Sequence, residues 1–176
     1  MCLSKLLVCI TIPGIRKVRS VTQFINIGIC DHTTWYHPHV REDVQQDLGL
    51  FGNMMVTPSE AEYYGPTNRE VVFVLDDILM DDLGVLPWGD TAPTHALMGR
   101  FGNVLMVNGE TDHRLTARTG EVVRFFITNV ANSRTFNVTF GDAPVKLLAS
   151  DLGRFEREQW VESVVIGPAE RYVVDV

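Results

Sequence analysis

Three of the five histidines in this chain fall within eight positions, in the stretch Asp-His-Thr-Thr-Trp-Tyr-His-Pro-His-Val that begins at Asp31. His37 and His39 flank Pro38. On an extended segment, residues two apart face the same side. Proline fixes its own φ near about −65° and disfavours helix for the residue before it. The spacing therefore presents two imidazoles from one stiff edge, and imidazole is the usual protein ligand for copper, zinc and iron. Two ligands do not close a metal site, and a His-x-His pair also arises by chance. A solvent-exposed turn carrying two ordinary histidines fits the spacing as well. His32 is read as an exposed residue before the strand rather than a third ligand. His95 and His113 are read as surface or partly buried histidines. Asp76, Asp77, Asp81 and Asp82 have no spaced acceptor pattern for a hard cation, so a solvated face is expected. Met54, Met55, Met98 and Met106 offer soft sulfur ligands, but their β context favours core packing.

The elements that must position these residues are mostly strands. Val71–Leu75 is a short apolar run stopped by Asp76-Asp77, and Val104–Val107 is closed by the turn pair Asn108-Gly109. Glu121–Asn129, Arg134–Phe140, Val145–Ala149, Val161–Ile166 and Glu170–Val176 follow at short intervals. In Arg134–Phe140, Phe136, Val138 and Phe140 alternate with polar neighbours, the signature of a half-buried strand. Many short strands at this spacing predict an all-β, antiparallel sandwich or barrel. Val40, Val44 and Leu48 recur every four residues before Gly49, which predicts a short helix over 40–48 with a packed apolar stripe and a glycine stop. Residues 57–69, with two prolines and a glycine, read as a linker. That divides the chain into 1–56, carrying the histidine pair, and 70–176, long enough for one sandwich.

Composition narrows the function classes. The 176 residues are 45% apolar and 21% charged, an ordinary globular mix. Fifteen basic against 22 acidic residues leave a net charge of −7, which argues against a broad grip on nucleic acid. No apolar run approaches the ~18 residues that cross a bilayer. The three cysteines, Cys2, Cys9 and Cys30, all lie in the first thirty positions. They make no disulfide framework, and the rest of the chain has no thiolate for a metal centre or a nucleophile. Met1–Ser20 does not make a convincing signal peptide, because most of its positive charge follows the apolar stretch rather than preceding it.

Trp35-Tyr36-His37-Pro38-His39, then Leu48-Gly49-Leu50-Phe51-Gly52 and Met54-Met55-Val56, closely resemble the second copper-binding motif of the multicopper oxidases, the laccase-like family. Val107-Asn108-Gly109, Glu121–Arg124 with Thr128–Asn132, Asp151-Leu152-Gly153 and Pro168–Tyr172 resemble landmarks of that family's second cupredoxin domain, in order. The resemblance covers about residues 33–176. It implies one nearly complete cupredoxin-like Greek-key β-sandwich plus part of another. It also implies copper as cofactor, with His37 and His39 each binding one copper of the type 3 pair that, with a third copper, reduces dioxygen to water. The partners it implies are dioxygen and a small reducing substrate, and the location it implies is periplasmic or extracellular.

The departures are equally specific. The family's first motif, a His-Trp-His-Gly stretch upstream, is absent, and the first 30 residues hold no histidine. No His-Cys-His supplies a type 1 copper, which takes two histidines and a thiolate. The expected function is thus the copper-binding portion of a multicopper oxidase, inactive alone and needing another domain or chain to complete the site. The alternatives are a non-catalytic cupredoxin-like structural or interaction module and, third, a zinc hydrolase using His37, His39 and Asp31.

Overall fold

The computed structural model describes residues 33–55, 63–89, 92–151 and 153–176. The expectations for Met1–Ser20, Asp31, His32, the three cysteines and positions 57–62 of the linker lie outside the described residues.

Twelve strands and two short helices run in the order β1 (Thr33–Tyr36), α1 (Glu42–Asp47), β2 (Gly52–Met55), β3 (Arg69–Ile78), β4 (Met80–Asp81), β5 (Gly84–Val85), α2 (Ala92–Met98), β6 (Val104–Val107), β7 (Val123–Asn129), β8 (Phe136–Val138), β9 (Val145–Ser150), β10 (Gly153–Val161), β11 (Val164–Ile166) and β12 (Arg171–Asp175) among the described residues. The all-β expectation holds, as does the half-buried alternation through Phe136, Val138 and Phe140, whose side chains pack on the core.

The main sheet has the order β10-β9-β12-β7-β3-β6. Its pairings are antiparallel except β3 with β7, which run parallel in the register Arg69↔Val123 to Leu75↔Asn129. This departs from a purely antiparallel sandwich. Parallel neighbours need a long crossover, and the excursion through β4, β5, α2 and β6 provides it. Strand β7 is buried along its whole length, so its apolar residues Phe125, Phe126 and Ile127 are consecutive rather than alternating, and its polar Arg124, Thr128 and Asn129 are buried with them. Phe125 and Ile127 join Leu75, Val145, Val164, Ile166 and Val174 in one core, closed by the small β8–β11 sheet. Phe126 faces the other way, onto Tyr64, Leu148, Ala149 and Val173, with Met55 of β2 packed against them. The β1–β2 hairpin thus sits against the face of the main sheet opposite the sandwich core.

Inside that second layer, Arg124 lies almost fully buried and pairs in a two-pronged contact with Asp175 on the neighbouring strand, at 2.8 Å from Nε and from Nη2. The same guanidinium donates to the carbonyls of Tyr64 and Gly65. It ties the stretch entering β3 to the sheet, so the C-terminal end of the expected linker is packed structure.

Besides the short β4–β5 pair, strand β10 and helix α2 have no counterpart in the sequence reading. Strand β10 is an edge strand whose side chains are rich in charge, a common way to discourage edge-to-edge pairing. Helix α2 buries none of its residues, and Leu97 and Met98 stand 85% and 75% exposed. Met98 is therefore not a core side chain. Pro93 occupies the first turn of α2, where its missing N–H costs nothing.

Candidate metal centre

Strand β1 ends at Tyr36, and the two histidines leave the hairpin immediately after it. The pairing with β2 sets Trp35 opposite Asn53 and Tyr36 opposite Gly52. A Cβ on Gly52 would come within 2.4 Å of the Tyr36 hydroxyl, so only glycine lets the tyrosine lie across its neighbour. Gly49, at φ 83°, ends α1 in the left-handed conformation that favours glycine, with its N–H donating to the Gln46 carbonyl at 2.8 Å. The two glycines of the Leu48–Gly52 motif therefore have separate jobs, stopping the helix and seating Tyr36.

The two imidazoles are neighbours. Their ring centroids lie 4.7 Å apart with the planes tilted by 43°. Trp35 stacks on His37 at 4.4 Å and 17°, which limits rotation of that ring. His37 is three-quarters buried at 24% exposure, whereas His39 projects into solvent at 82%. Arg41 then takes a left-handed conformation, φ 48° and ψ 48°, and turns the chain into α1. That turn brings Glu42 back beside the histidines, its Oε2 lying 3.9 Å from Nδ1 of His37 and 3.5 Å from Nδ1 of His39.

Helix α1 docks through polar groups rather than its apolar stripe. Val40 and Leu48 are exposed, at 73% and 56%, and Gln46 is the residue buried within the helix. This corrects the expected apolar packing. Gln46 donates to the Val130 carbonyl at 2.8 Å, and Asn132 donates to the Asp43 carbonyl at 2.8 Å and to the Asp47 carboxylate. Asp47 also meets the Arg100 guanidinium at 2.7 Å and the Trp88 indole N–H at 3.2 Å, while Arg100 lies over the Trp88 ring at 4.9 Å. Burial pushes the Asp47 carboxyl above its ordinary range, despite the hydrogen bond from Asn132 and the charge of Arg100.

Between α1, α2 and the loop after β7 lies a cleft of about 470 Å³. Trp35, His37, Glu42, Trp88, His95 and Asn132 contribute to its walls. His95, which no local sequence signal tied to the motif, thus lines the same cleft as His37, edge-on to Trp88 at 5.7 Å. His113 lies elsewhere, bonded to Glu110 at 2.8 Å and edge-on to Phe73.

The acidic cluster is not one solvated face. Asp76 and Asp77 belong to β3 and are 8% and 4% exposed, whereas Asp81 and Asp82 are exposed. Asp77 accepts through Oδ2 from Arg134 Nε at 2.7 Å and from the Gly102 N–H at 2.5 Å, while its buried Oδ1 has no hydrogen-bond partner. Burial pushes Asp76 up to about 7, with the charges of Asp77 and Asp47 adding to the rise and the Asp77 N–H opposing it. A carboxyl raised in the folded state holds a proton that the unfolded chain has released. Its contribution is complete below about pH 4 and is lost as pH climbs towards 7. Stability to urea is expected to fall over that window by at most ~4 kcal/mol from this group. Asp76→Asn should flatten the fall, and an unchanged slope in the variant would contradict the assignment.

Among the described residues, no three His, Cys, Asp or Glu side chains are arranged to hold a metal ion, Glu42 with the two histidines included. What the chain does offer is a pair of adjacent imidazoles. The buried Nδ1 of His37 has no hydrogen-bond partner, so that ring is not committed to another role by a bond within the fold. Two such rings suit copper chemically, as half of a site rather than a closed one. Asp31, the third group of a zinc hydrolase reading, lies outside the described residues.

No protein-family profile matches the chain. Individual proteins do. The chain is 26% identical over 142 residues to the multicopper oxidase mco of Staphylococcus aureus, a match covering 79% of the chain and 31% of that protein. It is 29% identical over 154 residues to the multicopper oxidase LPR2 of Arabidopsis thaliana, covering 81% and 26%. It is also 28% identical over 148 residues to the cell division protein FtsP of a Rahnella strain, covering 79% and 30%. The chain therefore spans about a third or less of these relatives. Among solved structures it superposes on the multicopper oxidase of Pseudomonas thermotolerans with a TM-score of 0.76 at 21% identity, covering 99% of this chain and 45% of that one. On the laccase-like oxidase CueO of an Ochrobactrum species the TM-score is 0.72 at 27% identity, covering 98% and 43%. The fold is the cupredoxin-like fold of multicopper oxidases, and the resemblance in sequence is to the same family. No described helix is long and apolar enough to cross a membrane.

Proposed function

We propose that this chain, similar to multicopper oxidases in sequence and fold, is a copper-binding portion of such an enzyme in which His37 and His39 each bind one copper of the type 3 pair. The observation that carries the reading is the adjacency of the two rings, 4.7 Å apart at the end of β1, with one held by Trp35. Bound copper would supply one-electron transfer from a small reducing substrate to dioxygen. The chain's own residues present the imidazoles: Trp35 limits the His37 ring, Pro38 stiffens the edge, and the polar docking of α1 holds that edge against the sandwich. The remaining ligands would come from another domain or chain.

A blue copper centre needs a thiolate, and residues 31–176 contain no cysteine. After copper loading and desalting, the full chain is expected to retain copper by elemental analysis, to show no intense thiolate-to-copper absorption and to leave phenols unoxidised. A blue band or phenol turnover would contradict the reading.

The second reading is a non-catalytic cupredoxin-like module. It is favoured by the lack of a third suitably placed ligand among the described residues. The name of the FtsP relative agrees, since it is that of a cell division protein rather than an oxidase. Failure to retain copper above a double variant lacking both histidines would decide for it.

A further inference from the structure

We propose that Glu42 is a positioning residue that holds the ring protons of His37 and His39 on Nδ1 and leaves both Nε2 lone pairs open to a metal; the metal half of this rests on the function proposed above. In neutral imidazole one nitrogen donates and the other accepts, and the partner of the first fixes which one is left for a ligand. Both rings turn the same nitrogen, Nδ1, towards the same carboxylate oxygen, at 3.9 and 3.5 Å. These are ion-pair rather than hydrogen-bond separations. Glu42 is about half exposed and has the freedom to close on either ring.

Two further observations point the same way. The His37 Nδ1 is buried and without a hydrogen-bond partner in the fold, a costly state for a polar atom unless an acceptor reaches it. Glu42 is the carboxylate within ion-pair range. The backbone is also bent to place that carboxylate: Arg41 adopts φ 48° and ψ 48°, a left-handed conformation unfavourable for a non-glycine residue. An Arg41 in ordinary helical or extended geometry would send Glu42 elsewhere. The arrangement matches the general one in which a carboxylate accepts the second N–H of a metal-binding histidine, fixing tautomer and ring orientation.

Tautomers are read directly by long-range proton–nitrogen NMR of the imidazole rings in the full-length, metal-free chain at a pH where the rings are neutral. The expected spectrum has His37 and His39 protonated at Nδ1. Glu42→Gln, whose amide can donate to Nδ1, is expected to shift both rings towards the Nε2-protonated form while His95 and His113 stay unchanged. A purely structural role for Glu42 would not move that ratio. Copper(II) affinity of the same variant is expected to fall by about 10-fold. Wild-type rings protonated at Nε2, or a Glu42→Gln spectrum identical to wild type, overturn the proposal. Copper(II) added to the wild-type sample separates the two claims. Broadening of the His37 and His39 signals supports both. Rings that keep the proton on Nδ1 but ignore copper overturn the copper reading and uphold Glu42 as the residue that fixes the tautomer.

Discussion

Asp47→Ala is expected to cost about 3–5 kcal/mol of stability and to release α1 from the sandwich. The Asp47 and Arg100 side chains are 8% and 2% exposed, so deleting the carboxylate strands a guanidinium where water cannot reach it. The remaining bonds of Arg100 do not compensate. Its Nη2 reaches the Leu86 carbonyl, its plane lies over Trp88, and its Nη1 has no hydrogen-bond partner. Trp88 and Asn132 would each lose an acceptor as well. The pair is nevertheless not a large net source of stability. Burial raises the Asp47 carboxyl even with Arg100 beside it, so the cost of desolvation exceeds the attraction. The double variant Asp47→Leu with Arg100→Met should therefore recover most of the loss, giving a strongly non-additive cycle in urea midpoints. Trp88 fluorescence reports the release of the helix. An Asp47→Ala midpoint within about 1 kcal/mol of wild type would mean that the contact is wet and that α1 is held by other groups.

That contact also marks where the sequence stops being readable. The histidine pair, the glycine that ends α1 and the alternating strand at Phe136–Phe140 are local: the chemistry that fixes each lies within a few residues. The docking of α1 is not. A stripe at Val40, Val44 and Leu48 suggested apolar packing, but the groups that secure the helix, Val130, Asn132, Arg100 and Trp88, are more than forty positions away, and they select its polar side. Asp76 and Asp77 misled for the same reason. An acidic run looks solvated until Arg134 and the Gly102 N–H, both distant, donate to one oxygen of Asp77 inside the fold. His95 enters the cleft of His37 only because the excursion between β3 and β6 folds back over α1. The parallel pairing of β3 with β7 is likewise a property of the crossover, not of either strand. Strand β10 was illegible because an edge is marked by charge rather than apolar alternation.

In the isolated chain, where no other domain supplies ligands and one added ion is shared by both rings, loss of either imidazole is expected to weaken copper(II) binding by roughly 100-fold, because the second donor on that ion acts at the effective concentration set by the first; with the remaining ligands supplied, each ring would serve its own copper. The rigid spacing matters to that figure. Pro38 restricts the backbone between the rings, and Trp35 stacks on one of them, so little freedom remains to be lost on binding. His37→Ala and His39→Ala should lower affinity similarly in a fluorescence or calorimetric titration, since each removes one of two donors. They should differ in stability. His37 is largely buried under Trp35 and its removal opens space in the cleft wall, whereas His39 is 82% exposed and its loss should leave the urea midpoint within about 0.5 kcal/mol of wild type. His113→Ala serves as the control, since that ring is engaged with Glu110 and Phe73 away from the pair. Equal weakening by the His113 variant, or no change on removing His37 or His39, would show that copper binds elsewhere and would remove the basis for treating the pair as ligands. A deficit for His37→Ala alone would instead assign the metal to the cleft that His37 shares with His95 and leave His39 outside it.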